Sequence, residues 1–272
     1  MYKQTGSQDD PDLLEQSYWS LLTEELDQWL RDGHTATFWW RDDGVGKLDN
    51  QLDRLLGLRK KLGINIALST IPTLVDNLFW SRLAQESYIT ILQNGYSHHN
   101  FADTHEPKTE LNRTRPTEHI IADLAVGIQK LALHPEAIPV LVPPWNHITP
   151  QLIPLLPEIG YCGLSCYGPR PSPITSTRLK QNNVHIAPVK PYTHKDLSYS
   201  FLGAALSISN AVMHLKDRRI KNNSGGEVTG LLSQHAVQDE NTWGFIEKFV
   251  TYTKRHKATK WISAEDVFGV TK

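Results

Sequence analysis

The chain reads as an α/β fold built on a mainly parallel sheet. Short apolar runs alternate with amphipathic stretches of helical period from end to end, and roughly seven of those runs have strand character. Polar clusters close several of the runs. In a parallel sheet, open or closed into a barrel, the strand ends are where a site is assembled. No internal repeat and no linker interrupts the alternation, so the expectation is a single domain over residues 1–272, with 1–34 as a helical extension packed on it.

The elements follow in order. Asp10 can cap a helix with Pro11 at its first position, and Leu14, Tyr18, Leu21, Leu22, Leu26 and Trp29 form its apolar stripe. Gly33 ends it, and Ala36 to Trp40 is the first strand. A helix over Asp49 to Leu62 turns Leu52, Leu55, Leu56 and Leu62 inward and stops at Gly63. Ile64 to Ser69 is a strand, Val75 to Ala84 a helix, and Tyr88 to Leu92 a strand. The polar segment Asn100 to Arg115 reads as a loop with a short helix. Thr117 to Leu133 is helical, Ile138 to Val142 a strand and Pro150 to Ile159 a short helix. Tyr161 to Cys166 reads as a strand, followed by a Pro-, Ser- and Thr-rich loop over Tyr167 to Thr177. Val184 to Ala187 and Val228 to Ser233 are strands, separated by a helix over Leu202 to Leu215 and a flexible Asn222–Gly226. The last long helix starts near Asp239, with Trp243, Ile246, Phe249 and Val250 inward.

Composition excludes several classes. A net charge of −1 gives no global basic surface for nucleic acid or an anionic membrane. No run approaches the roughly 20 apolar residues a membrane span needs. Residues 1–16 are polar and acidic, unlike a secretory signal, so a cytoplasmic protein is expected. If Tyr161 to Cys166 is extended, Cys162 and Cys166 stand about 13 Å apart, too far for a disulfide. They read as reduced thiols.

The chemistry is concentrated in Trp40-Arg41-Asp42-Asp43-Gly44, which closes the first strand. Adjacent carboxylates repel, so one is protonated or both are compensated by a cation or metal. A solvated turn is the plain alternative. Downstream come Ser97-His98-His99, Val142-Pro143-Pro144-Trp145-Asn146 and Ser233-Gln234-His235, each also closing an apolar run.

Taken in order, these clusters resemble the polysaccharide deacetylases of the NodB-homology group, from about Phe38 to Val250. The resemblance implies a distorted (β/α)7-type barrel and a metal-dependent hydrolase that removes acetyl groups from an N-acetylated sugar or oligosaccharide. It makes Asp42 the general base and Asp43 a metal ligand, completed by Asn94 and His98. A divalent metal, zinc by ligand type, would lower the pKa of bound water for attack on the amide. Arg41 would orient the base in place of an arginine that the third cluster lacks. Trp40, Pro144, Trp145 and Asn146 would line the saccharide groove, and His235 would protonate the leaving amine. Four positions depart from the family pattern: Asn94 stands for a histidine, Val142 for the arginine, Ala187 for an acidic residue and Gln234 for the final histidine. A degenerate relative that only binds carbohydrate or a partner is therefore the alternative expectation. A hydrolase of another C–N bond is a third.

Overall fold

The computed structural model describes residues 11–171, 174–176, 179–189, 199–221 and 226–270. Its helices are α1 (Pro11–Arg31), α2 (Asn50–Leu62), α3 (Asn77–Leu83), α4 (Thr117–Leu131), α5 (Ala204–Ile220), α6 (Glu240–Arg255) and α7 (Ala264–Phe268). The strands are β1 (Ala36–Val45), β2 (Ile66–Thr70), β3 (Ile89–Asn94), β4 (Ala137–Val142), β5 (Gly163–Leu164), β6 (Ile174–Ser176), β7 (Leu179–Gln181), β8 (Thr229–Ser233) and β9 (Thr259–Trp261). They form one sheet in the order β6-β7-β5-β4-β3-β2-β1-β8, with β9 also pairing to β1. All pairings are parallel except β6 with β7. The sheet curls into the open half-barrel of a distorted deacetylase-type (β/α) barrel. Residues 184–186 lie across the gap between its edges, bridging Tyr167–Val184 on one side and Ile186–Leu231 on the other.

Local chemistry explains the boundaries. Asp49 accepts hydrogen bonds from the backbone N–H groups of Gln51 and Leu52, which starts α2, and Gly63 at φ 61° ends it. Asp239 caps α6 through the N–H of Thr242. The expected cap Asp10 and the segment 222–225 lie outside the described residues.

Strand alternation divides the core. Phe38 and Trp40 face the helices and pack with Leu22, Leu55, Ile246 and Phe249. Trp39 faces the interior with Val140, Val142 and Leu232. A third cluster, around Leu124, Leu141, Leu156 and Leu164, seats α4 and the 3-10 turns of Pro150–Ile159 on the sheet.

Two expectations are corrected. The run Tyr161 to Cys166 keeps strand pairing only at Gly163–Leu164, and Val184 to Ala187 makes isolated bridges instead of a strand. Beyond the last long helix lie two further short elements, β9 and α7, neither apparent in the apolar pattern. The expected short helix over Pro150–Ile159 forms, winding as 3-10 turns because Pro154 and Pro157 cannot donate α-helical hydrogen bonds. Both cysteines are free thiols, and burial pushes Cys166 up to about 12.

Candidate functional site

The C-terminal strand ends open into a groove of about 530 Å³, walled by Trp145, Asn146, Tyr167, Tyr199, Leu232 and Gln234, with Lys108 at its rim. Trp145 and Asn146 sit in a turn after β4 with left-handed φ values of 54° and 60°. Residues with side chains seldom adopt that conformation. The turn is held from below by Arg41.

Arg41 is fully buried on the inner face of β1. Its Nη1 donates to the Ser165 carbonyl at 2.9 Å and to Ser165 Oγ at 2.6 Å. Its Nη2 donates to Asn146 Oδ1 at 2.6 Å and to Asp43 Oδ2 at 2.9 Å, while Nε stands 2.8 Å from Asp43 Oδ1. Guanidinium and carboxylate thus form a close ion pair with one hydrogen bond, from Nη2 to Oδ2, while Nε and Oδ1 are both buried and make no hydrogen bond. Burial raises the Asp43 pKa, against the lowering pull of Arg41.

Asp42 points the other way, into the helix layer. Its Oδ2 accepts from Ser233 Oγ at 2.5 Å and from the His235 backbone N–H at 3.1 Å, and its Oδ1 stands 2.5 Å from His235 Nδ1. Burial lowers the His235 pKa, but the Asp42 carboxylate outweighs it and holds the imidazole above its ordinary value. The one-residue offset at the end of β8 therefore puts Gln234 in the groove wall and His235 behind the strand. Trp40, expected to line the groove, lies in the helix-side core with Nε1 donating to Ser233 Oγ at 2.8 Å.

The second cluster is set by a carboxylate that the sequence did not single out. Glu110, almost fully buried, accepts from the backbone N–H groups of Tyr96 (3.1 Å), Ser97 (2.8 Å) and His98 (3.1 Å), and from Ser97 Oγ (3.0 Å). Such a nest fixes the turn that presents His98, whose ring lies 4.3 Å from that of Trp145. Burial lowers the His98 pKa, so this imidazole is neutral at pH 7. Asn94 is buried, and its Oδ1 makes no hydrogen bond.

Asp43, Asn94 and His98 were the expected metal ligands. In this arrangement they do not fit a divalent cation. Both oxygens of Asp43 lie against Arg41, only Oδ2 hydrogen-bonded to it, so an ion placed on either would adjoin a guanidinium, and Asn94 adds no charge.

Among the described residues a different group has the donor set of a metal site: His185, His214 and Glu227, all buried, with candidate ligand atoms within 4.8 Å of one another. Neutral imidazoles and a carboxylate suit a divalent ion such as zinc. Burial lowers the pKa of both histidines, His214 to about 2. The rings stack 3.4 Å apart, so converging on one ion would require them to turn. The triad lies near the N-terminal strand ends: His214 Nδ1 meets Thr229 Oγ1, and Thr229 pairs with Phe38, whereas Ser233 pairs with Asp42. Four residues of strand, about 13 Å, separate it from the groove end. In the sequence His185 falls inside the strand-like run Val184 to Ala187 and carries no separate signal. His214 and Glu227 were missed; a polar residue on the inward face of α5, between Ala211 and Leu215, was the available signal.

No protein-family model and no curated protein matches the chain. Solved structures do. A 4-alpha-glucanotransferase from Thermococcus litoralis superposes with a TM-score of 0.52 at 8% identity, over 88% of this chain and 41% of that one. The chain thus spans less than half of that enzyme's length. A peptidoglycan N-acetylglucosamine deacetylase superposes with a TM-score of 0.50 at 15% identity, over 90% of this chain and 97% of that one. A family 4 carbohydrate esterase from Streptomyces lividans gives 0.46 at 9% identity, over 83% and 90%. The first two superpositions show a shared fold. No helix among the described residues is long and apolar enough to cross a membrane.

Proposed function

We propose that this chain is a divergent carbohydrate-processing relative of the deacetylases whose barrel mouth binds an acetylated saccharide. The observation that carries this is the groove itself. Trp145, Tyr167 and Tyr199 offer aromatic faces to sugar rings, while Asn146, Gln234 and Lys108 offer polar contacts to hydroxyl and acetamido groups. Its volume, about 530 Å³, lies in the small-ligand range of roughly 300–1,000 Å³. The fold shared with a structure described as a peptidoglycan N-acetylglucosamine deacetylase supports the substrate class.

Hydrolysis of the acetyl group is a second reading, and Asp43 favours it. Its side chain is 10% exposed and linked through Arg41 to Asn146 of the groove wall, and burial raises its pKa. In this reading Asp43 Oδ1, which makes no hydrogen bond, takes the proton of the attacking water and returns it to the sugar amine as the C–N bond breaks and acetate departs, while Arg41 orients the carboxylate. Asp42 is committed to Ser233 and His235.

A panel of glucosamine oligosaccharides, acetylated and not, tests both readings by calorimetric binding and by release of free acetate. Binding that prefers the acetylated sugars and weakens at least tenfold in Trp145→Ala is expected. Acetate release adds the hydrolytic reading, and binding without release leaves the groove a binding site. No binding to any member, or binding indifferent to Trp145→Ala, overturns the proposal.

A further inference from the structure

We propose that Arg41 is the resident cation of this groove, and that Asp43 is thereby closed to metal. Arg41 lies against both carboxylate oxygens: Nη2 donates to Oδ2 at 2.9 Å, and Nε stands 2.8 Å from Oδ1 as an ion-pair contact without a hydrogen bond. One positive and one negative charge then balance in a buried site. A divalent ion added beside that pair would adjoin the guanidinium and leave an uncompensated positive excess in low dielectric, to which Asn94 contributes no opposing charge. The same guanidinium donates to Asn146 Oδ1 and Ser165, tying β1 to the strained turn after β4 and to the residue after β5. Arg41 is fully buried, so it acts as a positioning residue: it fixes Asp43 and the Trp145–Asn146 wall without touching the ligand. The inference rests on the saccharide reading only for what the groove holds; the cation's identity stands on the Arg41–Asp43 ion pair.

Zinc titration calorimetry on four chains tests it: wild type, His98→Ala, Arg41→Gln and the double variant. The expected result is a wild-type isotherm unchanged by His98→Ala, whatever the distant triad contributes. Arg41→Gln, which frees Asp43, gains one further equivalent of zinc, and the double variant loses it. Wild-type zinc binding that weakens tenfold or more in His98→Ala overturns the inference. So does an Arg41→Gln chain that keeps the wild-type circular dichroism and gains no site. If Arg41→Gln does not fold, the wild-type and His98→Ala pair still decides whether the groove holds zinc. Failure of every saccharide to bind would leave these isotherms untouched, so the two proposals fail separately.

Discussion

At the end of β1 two carboxylates three bonds of backbone apart in sequence lead separate lives, because neighbouring strand residues face opposite sides of the sheet. Asp43 meets Arg41 on the inner face, and Asp42 meets His235 and Ser233 on the helix side. His235→Gln should therefore lower stability and leave saccharide binding intact, the reverse of what a groove acid would do. Removing one partner of a buried ionic pair costs about 3–5 kcal/mol, and glutamine recovers part of it by hydrogen bonding. The pH dependence has a definite sign. A histidine whose folded pKa is raised above about 6.5 contributes fully below that value and loses its contribution as pH rises through the folded pKa. Denaturant titrations from pH 6 to pH 9 should show the wild type losing its advantage over His235→Gln. A constant gap would remove the ion pair from the account. The sequence exposed the paired carboxylates and the histidine, but not which faced which. That depended on a one-residue register at the end of β8, which no periodicity records.

The turn between β3 and Glu110 shows how an element's shape is set by a single distant side chain. Gly95 has φ 54°, and a Cβ there would stand 2.1 Å from a Glu110 carboxylate oxygen. Gly95→Ala and Glu110→Ala should thus damage the same object. Each should cost about 2–4 kcal/mol, from left-handed strain or from orphaned buried N–H groups. Hydrogen exchange at residues 96–98 should accelerate in both variants while α2 stays protected. If only α2 responds, the nest is not what holds the turn. The helices beside it were plain in the sequence. Asp49 and Gly63 bracket α2 because a side-chain acceptor starts a helix and an achiral residue ends it, both local effects. Glu110 was not legible, since its partners lie 12–14 residues away and are backbone groups. The same limit hid β9, whose three residues owe their pairing to β1 and not to their own pattern.

At the scale of the whole molecule, the curled sheet must be held where its edges approach, and there the main chain alone gives only isolated bridges. Polar side chains supply the rest. Glu227 accepts from the Asn183 N–H at 2.6 Å and the Arg170 N–H at 3.0 Å, and faces His185 Nε2 at 3.3 Å. The N–H of Gly230 in β8 donates to His185 Nδ1, and Asn182 accepts from the Val228 N–H at 2.7 Å. One carboxylate thus reaches the loop after β5, the residues after β7 and the histidine beside β8. Glu227→Ala would leave buried N–H groups at two of these places without an acceptor, each worth about 1–3 kcal/mol. Together the loss should approach 3–5 kcal/mol, comparable to removing a partner from a buried ion pair. Leu22→Ala in α1 should cost a similar amount by cavity formation, about 2–5 kcal/mol, and supplies the control. The two differ in where the structure loosens. Hydrogen exchange should rise at 182–189 and along β8 in Glu227→Ala, with α1 and β2 unchanged, whereas Leu22→Ala should loosen α1 against α5 and α6 and spare the seam. Uniform acceleration in both variants would mean that the barrel unfolds only as one unit, and that the carboxylate contributes to global stability without acting as a local clasp.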